Sequence, residues 1–190
     1  MRILLATFFI CLLLCSNAVA SEAEGTFNKT LELQGIQFSV TCPNNSSINT
    51  LKIVPTGLKI NNAVIDQEID GTVVGAEMAD LNADGSPEIY VYVTSAGSGS
   101  YGSLVAYTAN QNKSLSEIYL PIISDDESLA KGYMGHDTYA IGEGVLLHRF
   151  PVYRDGDTNA NPTGGIRQIQ YKLVQGEAGW ILKVDPEVER

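Results

Sequence analysis

The sequence predicts an all-β fold, an antiparallel β-sandwich with little helix. From Thr30 onward, short segments rich in Val, Ile, Tyr and Thr are each followed by a cluster of Gly, Asn, Asp or Pro. After the first twenty residues, no stretch carries a long apolar pattern at helical spacing. The segments follow one another too closely for crossover helices, so mainly antiparallel pairing is expected.

The individual strands are predicted from alternation of side chains. Apolar and polar residues alternate over 36–40, and aliphatic residues alternate with two tyrosines over 89–93, as in a strand with one face on a core. Residues 168–173 alternate in the same way, and residues 175–179 form the turn of a hairpin that ends with 180–184. Further strands are predicted at 51–54, 73–78, 104–108, 117–122 and 145–153.

The first twenty residues have the features of a secretory signal peptide that is cleaved after Ala20. Arg2 gives a positive start, residues 3–14 are mostly apolar, and residues 18–20 form an Ala-x-Ala site. An uncleaved anchor is disfavoured because a spanning helix needs roughly 20 apolar residues. Lipoprotein processing at Cys15 is disfavoured by the bulky Leu14 before it. Residues 21–190 are expected to form one β-sandwich domain.

The charge and the cysteine content of the chain limit the classes of function that are expected for this protein. The chain has 12 Lys and Arg against 22 Asp and Glu, so loss of Arg2 with the signal peptide leaves 11 against 22. An acidic protein without a basic cluster is expected to bind neither nucleic acid nor an anionic membrane. Cleavage also leaves Cys42 as the remaining cysteine. Burial as a small apolar side chain is the preferred interpretation of Cys42, and a reactive or intermolecular thiol is the alternative.

The first candidate site is an acidic turn that contains Asp80, Asn82, Asp84 and Glu88. Oxygen ligands at positions 1, 3 and 5 followed by Gly at position 6 are typical of a calcium loop. However, Val91 stands where an EF-hand has its bidentate Glu. The alternative is a turn held by its own side-chain to backbone hydrogen bonds. A structural Ca²⁺ is therefore a candidate ligand, and no cofactor is expected to be required.

The second candidate site is the Gly- and Ser-rich segment 95–103, which includes Ser98, Gly99, Ser100 and Tyr101. Its glycines fit a dinucleotide fingerprint, but the residues that follow are β-like rather than helical. It contains no Gly-x-Ser-x-Gly nucleophile motif. One tyrosine among adaptable Ser and Gly residues is typical of a binding loop. A flexible hairpin tip without a role is the alternative.

The third candidate site consists of His136 with Asp137 and of the segment Asp155, Asp157 and Asn159. A His-Asp pair resembles part of a catalytic triad, but sequence adjacency is not the required geometry, so a structural histidine is preferred. The second segment has the spacing of another cation loop, with Ala160 at the glycine position. Zinc-ligand spacing is absent from the sequence. Taken together, the residues favour a protein that is not an enzyme.

Five motifs together resemble the periplasmic inhibitors of invertebrate-type (I-type) lysozyme. They are the acidic turn at 80–88, the sequence Ser-Ala-Gly-Ser-Gly-Ser-Tyr-Gly-Ser at 95–103, Gly-Tyr-Met-Gly-His-Asp at 132–137, and the segments 161–171 and 176–180. The resemblance spans residues from about 79 to 180, and the part before it resembles no family.

This resemblance implies a β-sandwich in the periplasm of a Gram-negative bacterium, with I-type lysozyme as its partner. It further implies that Ser98 and Tyr101 enter the substrate cleft and meet the catalytic carboxylates, which would block peptidoglycan hydrolysis. The inhibitor is expected to be a monomer or a homodimer. Two alternatives stay open. One is an exported calcium-dependent carbohydrate-binding or adhesion module that uses 80–88, and the other is a hydrolase built around His136 and Asp137.

Overall fold

The computed structural model describes residues 25–185, so the predicted signal peptide lies outside the described part of the chain. The described residues form twelve strands, one 3-10 turn and one short helix, which confirms an all-β fold with little helix. The strands are β1 (Phe27–Leu33), β2 (Ile36–Cys42), β3 (Ile48–Thr56), β4 (Ile65–Asp70), β5 (Thr72–Ala79), β6 (Glu88–Thr94), β7 (Gly102–Asn110), β8 (Ser114–Tyr119), β9 (Thr138–Ile141), β10 (Leu146–Pro151), β11 (Ile166–Gln175) and β12 (Trp180–Val184). The 3-10 turn is Ile123–Asp125, and α1 is Glu127–Ala130.

The strands form two sheets. Sheet A has the order β1-β2-β3-β4, and all its pairs are antiparallel. Sheet B has the order β5-β6-β7-β8-β12-β11-β10-β9. Its pairs are antiparallel except β8 with β12, which are parallel. The chain leaves β8, forms β9, β10 and β11, and returns as β12 beside β8. The prediction of mainly antiparallel pairing is therefore confirmed. No local sequence pattern predicts the one parallel pair, β8 with β12.

Sheet A packs against one face of the first strands of sheet B. Phe38, Leu51 and Ile53 of sheet A share a buried core with Val91 of β6 and Val105 of β7. These side chains come from alternate positions of their strands, because successive residues of a strand point to opposite faces. Each fully buried side chain of this size contributes about 1.5–3 kcal/mol to the stability of the fold.

A second core lies on the opposite face of β6. Tyr90 and Tyr92 pack there with Phe150, Tyr171 and Leu182 from the second half of sheet B. The expectation that β6 has only one face on a core is wrong, because sheet B curls over the tyrosine face as well. Strand β6 is therefore buried on both faces, and the glycine-rich segment 95–101 follows directly from this rigid strand.

The curl of sheet B brings its edge strands β5 and β9 together. The Glu77 carboxylate on β5 accepts the N–H of Ile141 on β9 at 3.1 Å and the hydroxyl of Tyr92 at 2.6 Å. The Glu77 side chain thus accepts a backbone N–H at the sheet edge that would otherwise be free to pair with another strand. Sheet B therefore resembles a barrel whose two edge strands, β5 and β9, are not paired by a backbone ladder.

Most strand predictions are confirmed, with shifts at two ends. The predicted strand at 117–122 is observed as β8, which ends at Tyr119, and the one at 145–153 is observed as the shorter β10. Strands β1, β4 and β9 were not predicted. The first two are exposed edge strands rich in charged residues, and β9 has only four residues. The turn-forming residues of 44–47 and 151–165 predict surface loops, and both segments are mostly loops, except that Pro151 belongs to β10.

Cys42 is 1% exposed and carries a free thiol at the end of β2, in the core shared by the two sheets. This agrees with its interpretation as a small buried side chain. Within residues 25–185, no helix is long and apolar enough to span a membrane.

Candidate functional site

The segment from Ser95 to Tyr101, called the Ser-Tyr loop below, connects β6 to β7. Its ends are joined by two hydrogen bonds, from the Ser95 N–H to the Tyr101 carbonyl at 2.9 Å and from the Tyr101 N–H to the Ser95 hydroxyl at 3.0 Å. A tight turn brings the Ser100 N–H within 2.9 Å of the Gly97 carbonyl. Ser98 is exposed at the tip, and Tyr101 is 48% exposed. The loop thus presents a hydroxyl and a phenol ring to solvent.

The ring of Tyr101 lies against the backbone of its own loop. A Cβ added to Gly99 would stand 2.5 Å from a ring carbon of Tyr101, so only glycine leaves room for the ring at this position. The opposite contact is with Tyr133, whose ring meets that of Tyr101 edge-on at a centroid distance of 5.7 Å. Edge-to-face packing of this kind is worth about 0.5–1.5 kcal/mol beyond area burial. The orientation of Tyr101 is therefore set by the body of the protein as well as by the loop.

A buried carboxylate lies beneath the end of the loop. Asp137 accepts the N–H of Gly102 at 2.7 Å and the hydroxyl of Tyr133 at 2.8 Å, and it also contacts Nε2 of His148. Its side chain has no exposed surface. Burial raises the pKa of Tyr133, and the Asp137 carboxylate raises it further, so the phenol keeps its proton and remains a donor. Asp137 thus holds both the residue after Tyr101 and the ring that packs on Tyr101.

His136 and Asp137 do not pair with each other. His136 has a left-handed φ of +58°, and its N–H donates to the Gly99 carbonyl at 2.8 Å. Its Nε2 lies 3.0 Å from Oδ1 of Asn159. Asp137 pairs instead with His148 of β10, so the adjacent His-Asp pair considered from the sequence is not a dyad. The preferred interpretation of His136 as a structural histidine agrees with these contacts.

Asn159 joins the third candidate segment to the Ser-Tyr loop. Its Nδ2 donates to the Ser98 carbonyl at 2.8 Å. Asp157 is occupied elsewhere, since it accepts the N–H groups of Arg154 and Thr163 at 2.7 and 2.8 Å. These bonds hold the pKa of Asp157 below its usual range. The side chains that suggested a second cation loop therefore diverge, and one of them supports the neighbouring loop.

The acidic turn Asp80, Asn82, Asp84 and Glu88 lies at the other end of β6. Asp80 accepts the N–H groups of Asp84 and Gly85, each at 3.0 Å, and Asp84 accepts the N–H of Ser86 at 2.8 Å. Within residues 25–185, no group of three or more His, Cys, Asp or Glu side chains is arranged to hold a metal ion. The contacts match a turn held by its own hydrogen bonds, and calcium binding here stays a prediction.

Glu88 is the buried member of this turn, with no exposed surface. One carboxylate oxygen accepts the Leu81 N–H at 2.8 Å, and the other has no hydrogen-bond partner. Burial, with a smaller contribution from the charges of Asp80 and Asp84, raises the pKa of Glu88 to about 7 against the opposing effect of the Leu81 bond. The carboxyl group is thus poised to change charge near neutral pH.

A groove of about 1030 Å³ begins beside Tyr101 and runs along the second half of sheet B. Aromatic rings, among them Tyr119, Tyr139 and Trp180, line it. Its ionisable lining groups besides tyrosines and His148 are Glu117 and Glu177, so the groove carries no Lys or Arg. The groove that begins beside Tyr101 is therefore aromatic and acidic.

The Ser-Tyr loop lies within the part of the chain that matches a known family. The model of the family described as periplasmic lysozyme inhibitor of I-type lysozyme matches residues 59–127. This segment resembles those inhibitors. The match confirms the resemblance found in the motifs, and it begins at residue 59 rather than near 79, so part of the chain thought to resemble no family is included. The motifs at 132–137, 161–171 and 176–180 lie beyond it. No curated protein and no solved structure matches the chain.

The matching family is described as an inhibitor of lysozyme, and this description is consistent with the expectation of a protein that is not an enzyme. Among the candidates from the sequence, the Ser-Tyr loop was one site, and the two segments 132–137 and 153–165 together were another. The structure brings all three together at one end of the fold. Tyr133 and His148, which complete the Asp137 network, were not recognised as parts of that site. The closely spaced Gly132 and Gly135 could have indicated from the sequence that this segment belongs to the site. Both have a positive φ and lie against neighbouring backbone.

Proposed function

We propose that the protein inhibits I-type lysozyme by inserting the Ser-Tyr loop into the substrate cleft, where Ser98 and Tyr101 meet the catalytic carboxylates. The observation that carries this proposal is the pairing of a family match over residues 59–127 with an exposed Ser98 and a half-exposed Tyr101 on an anchored loop inside that segment. The proposed site of action is the bacterial periplasm, as the description of the family implies.

The chemistry of the loop suits a glycosidase cleft. Such a cleft holds a protonated carboxylic acid and a second carboxylate on either side of the scissile bond. The Ser98 hydroxyl can donate to one carboxylate, because a hydroxyl is both a donor and an acceptor. The Tyr101 ring offers a flat apolar face for a sugar subsite, and its hydroxyl can bond at the polar end of that subsite. None of these contacts requires a cofactor, and we propose that inhibition needs none.

The charge of the protein supports the encounter with a cationic enzyme. With 11 basic against 22 acidic residues after removal of the signal peptide, the protein repels other acidic surfaces and attracts basic ones. Glu117 and Glu177 add negative charge to the groove that begins beside Tyr101. Attraction of this kind acts mainly on the association rate and weakens as salt is added.

Inhibition assays on three lysozyme classes test the proposal. Residual activity of I-type, chicken-type and goose-type lysozymes on bacterial cell walls is measured with an equimolar amount of residues 21–190, and then with Ser98→Ala and Tyr101→Ala. We expect loss of I-type activity that Tyr101→Ala relieves by roughly 30-fold in inhibition constant, the effect of a strong interface residue. Unfolding stability should change little, because Tyr101 is about half exposed.

Ile60→Ala is the matched control. Ile60 is 74% exposed, and its N–H donates to the Lys113 carbonyl in the turn that follows the far end of β7. The Ile60→Ala substitution therefore removes an exposed apolar side chain at the end of the fold away from the Ser-Tyr loop. Inhibition that survives Tyr101→Ala unchanged, or an equal loss with Ile60→Ala, would contradict the loop mechanism.

A further inference from the structure

The Ser-Tyr loop has a composition that should leave it flexible. Gly97 and Gly99 alternate with serines, and glycine loses more conformational freedom on ordering than any other residue. The hydrogen bonds within the loop join its own residues, from Ser100 to Gly97 and between Ser95 and Tyr101. They give the loop a shape, but they do not fix it relative to β9 and β10. That connection comes from the His136 N–H, which donates to the Gly99 carbonyl, and from two polar side chains outside the loop.

The first of these side chains is Asp137. It holds Tyr101 by two routes, through the N–H of Gly102 that follows it and through the Tyr133 hydroxyl, whose ring packs on Tyr101. A carboxylate with no exposed side-chain surface is costly unless it is well paired. The donors that compensate this cost include the N–H of Gly102, the residue directly after the loop, so the position of the loop end and the burial of Asp137 depend on each other.

The second side chain is Asn159, which lies 61 residues from its partner in the loop. Its Nδ2 donates to the Ser98 carbonyl, and its Oδ1 contacts Nε2 of His136, whose own N–H donates to Gly99. Asn159 is exposed, so apolar burial does not account for its placement. Its amide group joins the tip of the loop to the 132–137 segment.

We propose that Asp137 and Asn159 are the positioning residues of the Ser-Tyr loop, which hold Ser98 and Tyr101 in the conformation that enters the lysozyme cleft. This inference rests on the proposed function. A loop that is already ordered in the free inhibitor needs no further ordering when it binds the enzyme. A protein that populates its binding-competent conformation only in part has an affinity reduced by the populated fraction. Positioning residues therefore act on the free inhibitor, and their loss lowers the association rate more than it raises the dissociation rate.

The test uses Asn159→Asp, which keeps the shape of the side chain and replaces the donor to Ser98 by an acceptor. Association and dissociation rates with I-type lysozyme are measured by surface plasmon resonance. We expect the association rate to fall by about tenfold, from a lost hydrogen bond and a new repulsion at a carbonyl, with the dissociation rate within about twofold. The melting temperature should stay unchanged because Asn159 is exposed. Asn161→Asp adds the same charge two residues away in the same segment and should bind as the wild type does.

The Asp137 anchor is tested through its partner, because a substitution of buried Asp137 can prevent folding. Tyr133→Phe removes the hydroxyl and keeps the ring against Tyr101. We expect a threefold to tenfold lower association rate, together with faster hydrogen exchange of the Gly102 amide. If Asn159→Asp and Tyr133→Phe both bind with wild-type rates while Tyr101→Ala does not, the positioning inference is overturned and the proposed function stands. If Tyr101→Ala also binds normally, the proposed function fails.

Discussion

Replacement of Gly135 by alanine should displace the backbone of the Ser-Tyr loop at Gly99, which lies against Gly135. Gly135 has a φ of +88°, and a Cβ built on it would lie 2.2 Å from the Gly99 carbonyl oxygen. Real Cβ contacts are essentially never shorter than 3.0 Å, so the backbone at Gly99 has to move by at least the difference, 0.8 Å. That movement breaks the bond from the His136 N–H to the Gly99 carbonyl, which is 2.8 Å long.

The expected cost has two parts. Left-handed backbone costs an alanine about 1–2 kcal/mol, and the lost hydrogen bond costs about 1 kcal/mol, so urea unfolding should show a loss of about 2–3 kcal/mol for Gly135→Ala. A loop displaced by this distance should inhibit at least tenfold less well, which corresponds to about 1.4 kcal/mol of binding. Both quantities are measured on the same preparations.

Gly144→Ala separates the clash from the backbone strain. Gly144 has a φ of +69° in the turn between β9 and β10, and nothing lies within 4 Å of its added Cβ. It should lose about 1–2 kcal/mol of stability from backbone strain alone and inhibit normally. A Gly135→Ala protein that is no less stable than Gly144→Ala and inhibits as well as the wild type would show that the clash with Gly99 does not displace the loop.

Three further predictions concern Glu88, calcium and Cys42. Because burial raises the pKa of Glu88 to about 7, its proton stabilises the fold at low pH, and this contribution is lost as the pH rises from 4.5 through 7. Glu88→Gln should therefore gain up to about 3 kcal/mol relative to the wild type between about pH 4 and pH 8 in urea unfolding, and parallel pH profiles would contradict this. Calcium or EDTA should leave inhibition unchanged, since the acidic turn and the Ser-Tyr loop lie at opposite ends of β6; loss of inhibition in EDTA would instead support a calcium-dependent module. Cys42, at 1% exposure, should react with a thiol reagent only after unfolding, and rapid reaction of the native protein would show that it is accessible.

Local pattern was sufficient to predict most strands of this protein. Alternation located β2, β6 and β11, because a strand with a buried face repeats its side chains with a period of two. The hairpin turn at 175–179 located β12. Alternation failed for β4, whose apolar positions are interrupted by acidic residues at a sheet edge. It also missed the burial of the Tyr90 face, because that depends on how far sheet B curls, which is a property of the whole sheet.

The candidate site was predicted in pieces. The Ser-Tyr loop stood out by composition, and the resemblance to the lysozyme inhibitors singled out Ser98 and Tyr101 within it. The segments that contain Asp137 and Asn159 were noticed for other reasons. The common location of the loop and these segments could not be predicted, because the contact between Asn159 and Ser98 joins residues 61 positions apart. The pairing of Asp137 with His148 rather than with adjacent His136 has the same origin, since the register of β9 against β10 brings β10 beside the segment that contains Asp137.

Equilibrium competition with a sugar shows whether the Ser-Tyr loop occupies the substrate cleft of I-type lysozyme. The affinity of the protein for the lysozyme is measured while an N-acetylglucosamine oligosaccharide that fills the cleft is titrated in. We expect the apparent affinity to fall in proportion to the occupancy of the cleft, because the loop and the sugar need the same space. An unchanged affinity, with oligosaccharide, lysozyme and inhibitor present in one complex, would contradict it.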